Sequence, residues 1–505
     1  MLQWIDHNKL PRAVLSMGKP NIILIFVDNQ PAKMLGCAGN EEIHTPHLDA
    51  LAARGTRFSE AFCPNAMCSP CRASVLTGLM PSQHGVHTWL DDSVPAGWPD
   101  HWNALSEFTT LPELLADNGY DTALIGKYHL GMADSPQNGF RYWATTQIGH
   151  VQSFYNNKMI HDGKEFVHAG HSVEFFTDHA VDYLQERRQQ PEQPFFMFLT
   201  YPAPYGHWPS VQGEPDNAFG HLYQDTPFNS VPREGISDEL VDWMLLRQEK
   251  EPDNDFAFYR NLVRIPNDLP TLRNYYSQMS IVDEGVGRVL DTLEKSGQFE
   301  ETLVIYTSDH GMSLGEHGFW GHGEDTWPAN THREANHIPL IVKAPNATRH
   351  GEVSDHLVGT TDIYSTILDF TDLEIPDRNP RRMRSLRPLV ESGDFEWEDA
   401  VFMEQEETRA IRTPQWLFMQ RFKSATYPFD AELYDLALDP DERVNRANDP
   451  DYREVVDELT ARVEAFFAKH SRPEWNLWEG GRVKSNSGRP FLWEDAWGAD
   501  WKPEF

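Results

Sequence analysis

Apolar residues along the chain gather in short runs bounded by turn-forming or charged residues, at 21–27, 122–125, 195–200, 302–307 and 339–343. Runs of this length without polar alternation predict strands buried on both faces. Helical patterns fall between several of them: 45–54 with Pro46 near its start, 110–118 followed by Gly119, and a long segment at 275–296 closed by Gly297. Strands alternating with helices imply an α/β fold, a sandwich with a large, mostly parallel central sheet between helical layers, whose ligands collect at the carboxyl ends of the strands. The most apolar run, 22–27, has strand length, whereas a membrane helix needs roughly 18–20 such residues. The chain is therefore expected not to span a membrane.

The alternation breaks at 209–272, a stretch rich in Pro, Asp, Asn and aromatic residues that reads as a specificity insertion over one end of the sheet. A basic, proline-containing linker, DRNPRRMRSLRP, interrupts an otherwise acidic chain within 376–388 and predicts a domain boundary. This gives a catalytic unit over 1–385 and a small C-terminal α+β subdomain over 386–470. In the latter, 410–422 and 432–436 read as short strands of an antiparallel sheet and 452–469 as an amphipathic helix. The tail, 471–505, carries Trp475, Trp478, Trp493, Trp497 and Trp501. Such aromatic density predicts a docking arm, either on the body or on a sister subunit of a homodimer or homotetramer.

Among the 505 residues, 43 Lys and Arg stand against 77 Asp and Glu, a formal net charge of −34. That balance disfavours nucleic acid as a partner, and it requires any anionic substrate to find a local cation. The first twenty residues mix charges and prolines where a signal peptide would be apolar, so a cytoplasmic location is expected. Of the four cysteines, Cys63, Cys68 and Cys71 crowd together and Cys37 stands apart, which suits a reactive site better than a disulfide framework.

The segment Cys68-Ser69-Pro70-Cys71-Arg72 fits C-x-P-x-R and opens a predicted helix, placing a nucleophile at a positive helix terminus beside Arg72. Cys71 reads as packing. Asp28-Asn29 follows the strand 21–27, and Asp309-His310 follows the strand 302–307. Two such pairs at strand ends, together with Cys68, point to a divalent metal site. Its hard oxygen donors favour calcium or magnesium, and His310 leaves manganese open. Lys127 and His129 in GKYHLG and His207 in PYGHWP also follow strands. With Arg72 they would supply the positive field that an anionic ester needs.

These motifs, with HTPHLDALAARGTRFSEAF, TSDHGMSLGEHGFWG and the C-terminal AIRTPQWLFM and ELYDLALDPDE, run in order through nearly the whole chain, which resembles the type I, formylglycine-dependent sulfatases of the alkaline phosphatase superfamily. The resemblance implies an arylsulfatase-like sulfuric ester hydrolase, with Cys68 oxidised to formylglycine by a maturation enzyme. One hydroxyl of the hydrated aldehyde would attack sulfur, with Arg72 and Lys127 holding charge. His207 would protonate the leaving oxygen of an aryl or small alkyl sulfate, and His129 would expel sulfate from the sulfoenzyme intermediate. Asp28, Asn29, Asp309 and His310 occupy the family's metal-ligand positions, with residue 68 completing the shell of one ion, calcium first, manganese or magnesium as alternatives. The alcohol pocket is expected to draw on 209–272 and 87–102. The chain departs from the family pattern where His322 stands in place of a lysine. As an acid it must be protonated, so activity would fall above about pH 7 if its pKa were unperturbed. His332 and His337 are weaker candidates for the same place. The alternative activity is phosphonate monoester or phosphodiester hydrolysis with the same nucleophile and metal.

Overall fold

A computed structural model describes residues 19–90, 98–99, 101–207, 215–250, 257–374, 384–393 and 395–504. The signal-peptide reading rested mainly on residues outside this set. Parts of the 87–102 stretch, the 209–272 insertion and the 376–388 linker also fall outside it.

The strands are β1 (Asn21–Asp28), β2 (Thr56–Phe62), β3 (Asp121–Gly126), β4 (Tyr142–Thr146), β5 (Asn157–His161), β6 (Lys164–His168), β7 (Phe195–Pro204), β8 (Thr302–Ser308), β9 (Ser313–Leu314), β10 (Trp320–Gly321), β11 (Leu340–Lys343), β12 (Glu352–Gly359), β13 (Val401–Gln405), β14 (Thr408–Arg412), β15 (Trp416–Arg421) and β16 (Glu432–Asp435). Ten of them form one sheet in the order β12-β2-β11-β8-β1-β7-β3-β4-β5-β6. The central run β8-β1-β7-β3-β4 is parallel.

β1 shows why its sequence is a continuous apolar run. Ile22, Leu24 and Phe26 enter one core with the helices Cys68–Thr77, Leu111–Asp117 and Thr361–Phe370, while Ile23, Ile25 and Val27 enter a second with Ser172–Arg187 and Leu269–Ser296. All six are fully buried. Both faces of the strand are covered, so alternation disappears.

The structure adds elements that the apolar pattern does not mark. β2, of seven residues, and the five-residue strands β4, β5 and β6 have mixed burial, and β6, at the sheet's edge, is almost wholly exposed. The helix Ser172–Arg187 carries its apolar residues as a stripe among charges. β11 belongs to the sheet but runs antiparallel to both β8 and β2. After β8 the chain stays at the carboxyl end of the sheet through residues 309–339 and re-enters from that end, so no crossover reverses its direction. The long helix begins at Leu269 rather than at 275, with Pro270 in its first turn.

The C-terminal sheet is an antiparallel meander, β13-β14-β15-β16. The segment 410–422 resolves into β14 and β15, and β13 is an additional strand. Phe402, Ile411 and Phe418 on one face meet Leu459, Val463 and Phe467 of the helix Arg453–His470, while Met403, Ala410 and Leu417 on the other meet Phe62 and Leu357 of the main sheet.

The tail packs on its own chain. Trp493 and Trp501 are buried with Leu240 and Trp243 of the insertion and with Phe319 and Trp327 of the loop after β8. Arg489, also fully buried, donates to Glu407 Oε1 at 3.0 Å and to the carbonyls of Glu324 and Thr326 at 2.9 and 2.6 Å.

Glu442 ties the small sheet to that same loop. It accepts from Arg412 Nη1 at 2.6 Å, from His332 Nδ1 at 3.0 Å and from the Arg333 N–H at 3.0 Å. Burial alone would raise its carboxyl, but Arg412 and His332 hold it well below its ordinary value; burial would lower His332, yet Glu442 raises it. Glu442 thus contributes stability above about pH 4.5, lost as pH falls through its folded value. His332 contributes below about pH 6.5, lost as pH rises through its folded value. Both contributions are complete between those limits. Glu442→Gln is expected to remove this optimum from a plot of melting temperature against pH. Trp493→Ala is expected to destabilise the protein by about 3–5 kcal/mol, read as a lower urea midpoint.

Candidate active site

The helix Cys68–Thr77 begins at residue 68 and ends at Gly78, whose φ of +69° closes it in the left-handed conformation. One turn along, Arg72 points the same way as Cys68, toward the carboxyl ends of β1 and β8. Arg72 Nη2 lies 2.9 Å from Asp309 Oδ2 and 3.5 Å from Asp28 Oδ2, while Nη1 donates to the Lys127 carbonyl at 2.9 Å. Lys127 Nζ meets Asp28 Oδ2 at 2.5 Å. Cys68, Asp28, Arg72, Lys127, Asp309 and His310 are all buried.

Lys127 reaches this position because β3 ends in Gly126, whose φ is +124°. A Cβ there would lie 1.8 Å from the Thr200 carbonyl oxygen of β7. The Lys127 N–H donates to that same oxygen at 2.9 Å.

Two carboxylates and two cations in one dry pocket polarise each other. Burial would raise Asp28, but Lys127 and Arg72 take it well below the usual carboxylate range. Burial and the neighbouring Asp28 charge raise Asp309. The Cys68 thiol donates to Asp28 Oδ1 at 3.4 Å and is pushed well above its ordinary value, first by burial and then by Asp28. An unmodified Cys68 is therefore a protonated, weak nucleophile.

The donor set fits a divalent cation. Ligand atoms of Asp28, Cys68, Asp309 and His310 lie within 4.8 Å of one another. His310 Nδ1 donates to the Gly311 carbonyl at 2.7 Å, which leaves Nε2 unprotonated and facing the pocket. Asn29, at φ +60°, directs Nδ2 to Asp28 Oδ1 at 2.9 Å and to His310 Nε2 at 3.0 Å, while its buried Oδ1 has no hydrogen-bond partner. Exchanging the two ends of the amide would present that oxygen to a cation.

The other predicted histidines divide into two groups. His129 faces Cys68 together with His150, whose ring meets it edge-on at 4.3 Å, and its Nε2 donates to the Leu90 carbonyl at 2.9 Å. Gly149 admits the His129 ring, since a Cβ there would lie 1.9 Å from it. A cavity of about 250 Å³ lined by Leu90, Trp98, His129, Gly131, Thr146 and Gly149 opens beside this pair. His207 and His322 stand on another side, with ring centroids 4.7 Å apart, and His322 meets His310 at 5.1 Å. Burial lowers His207 to about 3 and His322 well below its ordinary value, so the expected loss of activity above pH 7 does not follow from His322.

His332 and His337 do not enter this pocket. His332 bonds Glu442 and stacks on His317 at 4.0 Å, and His337 Nε2 donates to the Ser59 carbonyl at 2.7 Å. Cys71 packs in the core, with Sγ 3.6 Å from Thr360 Oγ1. Sequence reasoning missed His150 and Asp325. Neither follows a strand marked by an apolar run; only folding brings His150 to His129, whereas Asp325 meets His322 within one turn and folding adds His207.

A family model described as Sulfatase matches residues 20–373, and one described as N-sulphoglucosamine sulphohydrolase, C-terminal, matches 315–469. The chain belongs to the sulfatase family, enzymes that hydrolyse sulfate esters. It is 28% identical to an N-acetylglucosamine-6-O-sulfatase of Bacteroides thetaiotaomicron, over 90% of this chain and 89% of that one. It is 26% identical to an arylsulfatase of Clostridium perfringens, over 87% and 93%. Among solved structures, one described as in complex with its substrate D-glucosamine-2-N,6-O-disulfate matches with a TM-score of 0.69 at 25% identity, covering 90% of this chain and 98% of that one. A phosphonate monoester hydrolase of Agrobacterium radiobacter shares the fold, with a TM-score of 0.65 at 21% identity over 89% and 96%.

Lys127→Ala is expected to destabilise chelator-treated protein by about 3 kcal/mol, the low end for a broken buried pair because Arg72 remains near Asp28. The loss is expected to shrink when a divalent cation is added, since a positive charge bound beside Asp28 in the folded state takes the place of the lost ammonium and so stabilises the variant more than the wild type. Urea unfolding with and without the cation checks both.

Proposed function

We propose that this chain hydrolyses a sulfate monoester after conversion of Cys68 to formylglycine by a formylglycine-generating maturation enzyme. The observation that carries the reading is the convergence on residue 68 of Asp28, Asp309 and His310 on one side, Arg72 at the next helical turn, and His129 with His150 on another. Burial makes the bare thiol unreactive, so the site gains a nucleophile only once that thiol is replaced. Formylglycine at this position, when hydrated, would supply two hydroxyls on one carbon, one as nucleophile and one whose deprotonation would regenerate the aldehyde.

The remaining chemistry belongs to this chain's own side chains. Arg72 fixes the orientation of the nucleophile's end of the helix through its bonds to Asp309 and the Lys127 carbonyl. Lys127 and Arg72 hold positive charge where the sulfuryl oxygens would lie. His129, oriented by the Leu90 carbonyl, is placed to take a proton from residue 68, and His207 stands where the leaving oxygen would depart. A divalent ion held by Asp28, Asn29, Asp309 and His310 would add charge to the same oxygens; calcium is the first choice, with manganese and magnesium as alternatives.

The names of the relatives support a sugar sulfate as one substrate class beside aryl and small alkyl sulfates, and the cavity lined by Trp98 and Leu90 would receive the alcohol portion. A second reading, phosphonate monoester hydrolysis, draws on His322 standing against His310 where the family pattern has lysine.

The test uses protein coexpressed with a formylglycine-generating enzyme. It compares kcat/KM for an aryl sulfate and an aryl phosphonate monoester that share a leaving group, with Cys68→Ala as control. Sulfate is expected to be preferred by at least tenfold and Cys68→Ala to be inactive on both. A preference for the phosphonate would exchange the first reading for the second.

A further inference from the structure

The tail meets the body over a buried group of acids that the chemistry at residue 68 does not use. Glu406 and Glu407 form the two-residue turn between β13 and β14. Glycine or asparagine is usual where such a turn needs a left-handed residue, yet Glu406 stands there at φ +44°. A strained residue that its surroundings hold in place points to a task for its side chain. Here the carboxylate accepts from Ser487 Oγ at 2.5 Å, from the Gly488 N–H at 2.9 Å and from Trp493 Nε1 at 3.1 Å, all three in the tail.

Glu324 approaches from the loop after β8. A Cβ on Gly488 would lie 2.0 Å from Glu324 Oε1 and 3.0 Å from Glu406 Oε2, so both carboxyls press on the tail at a residue that must lack a side chain. Arg489, the next residue, brings one positive charge. Its Nη1 is 3.6 Å from Glu324 Oε1 and 3.8 Å from Glu406 Oε2, while Nε donates to Glu407 Oε1 at 3.0 Å. Asp325 adds a fourth carboxyl, and all five side chains are buried. Glu324 Oε2 is buried with no hydrogen-bond partner, a state far more costly for a carboxylate than for a neutral carboxyl. One guanidinium cannot balance four carboxylates, so the group must hold at least one proton.

We propose that the tail is fastened by a proton-dependent clasp: Glu324 keeps a proton while residues 487–493 are seated, and the seat opens when that proton is lost. Burial raises Glu324 well above its ordinary value; Arg489 opposes this, and the charges of Glu406, Asp325 and Glu407 add to it. Burial raises Glu406 and Asp325 as well, the latter against the opposing effects of His207, Arg489 and His310. A carboxyl raised in the closed state contributes stability that is complete below about pH 4.5 and is lost as pH rises through its folded value. With one proton released on opening, the opening constant rises about tenfold per pH unit over that window. Opening also takes Arg489 from the carbonyls of Glu324 and Thr326, and so frees the turn that carries Asp325. The clasp does not depend on the sulfatase reading.

The test is hydrogen exchange by mass spectrometry on the full chain between about pH 5 and 8, corrected for the intrinsic pH dependence of exchange. Circular dichroism at each pH confirms that the body stays folded. In the wild type the opening constant of the segment 487–493 is expected to rise about tenfold per pH unit. Glu324→Gln, which keeps the shape of the neutral carboxyl, is expected to cut the total rise at least tenfold. Gly488→Ala, a change in the tail alone, drives a methyl onto both carboxyls and is expected to leave the segment open at the lowest pH, with no further rise. A wild-type constant that does not change with pH would overturn the proposal. So would a rise of wild-type size in either variant.

Discussion

Asp28 and Asp309 lie fully buried at the ends of adjacent strands, and everything around residue 68 is arranged to make that tolerable. Two buried carboxylates this close repel strongly in a low-dielectric pocket. Arg72 and Lys127 neutralise them from two other elements, the helix Cys68–Thr77 and the end of β3. The arrangement therefore binds the helix, β1, β3 and β8 into one electrostatic unit. Removing any member leaves a buried charge without its partner, which is more costly than never having placed the charge there.

That constraint is met by backbone geometry as much as by side chains. Gly126 brings β3 close enough to β7 for Lys127 to reach across, Gly149 leaves room for the His129 ring, and Asn29 adopts a left-handed conformation directly after the strand. Farther out, the C-terminal sheet and the tail take part in the same site. Glu442 holds His332 and Arg333, Arg489 holds the turn that carries Asp325, and Trp493 and Trp501 close over the insertion and the loop after β8. The aromatic tail is thus a brace for the loop after β8 within its own chain.

Much of this was legible because strands buried on both faces leave an unmistakable trace. The runs ending at Val27, Ile125 and Thr307 announced the central sheet, and the polar residues just after them announced what stands at its carboxyl end. The strands β2 and β4–β6 were not legible, since their residues are not continuous apolar runs, and β2 takes its place only from β11 and β12, distant in sequence. The antiparallel direction of β11 was equally hidden, because an apolar run carries no sign of which end of the sheet it enters.

For the site, the sequence by itself determined the chemistry available: a cysteine opening a helix, two strand-end pairs each led by an aspartate, an arginine one turn on, and a histidine where a lysine is usual. These follow from local spacing, which the chain carries in its covalent order. Only the tertiary structure decided which of the many histidines meet. His150 joins His129, Asp325 joins His322 and His207, and His332 is drawn away to Glu442. Asp325 meets His322 within one turn, but His207 and Glu442 come from elements more than a hundred residues away, and a single residue type has no local signal for a partner that folding alone supplies.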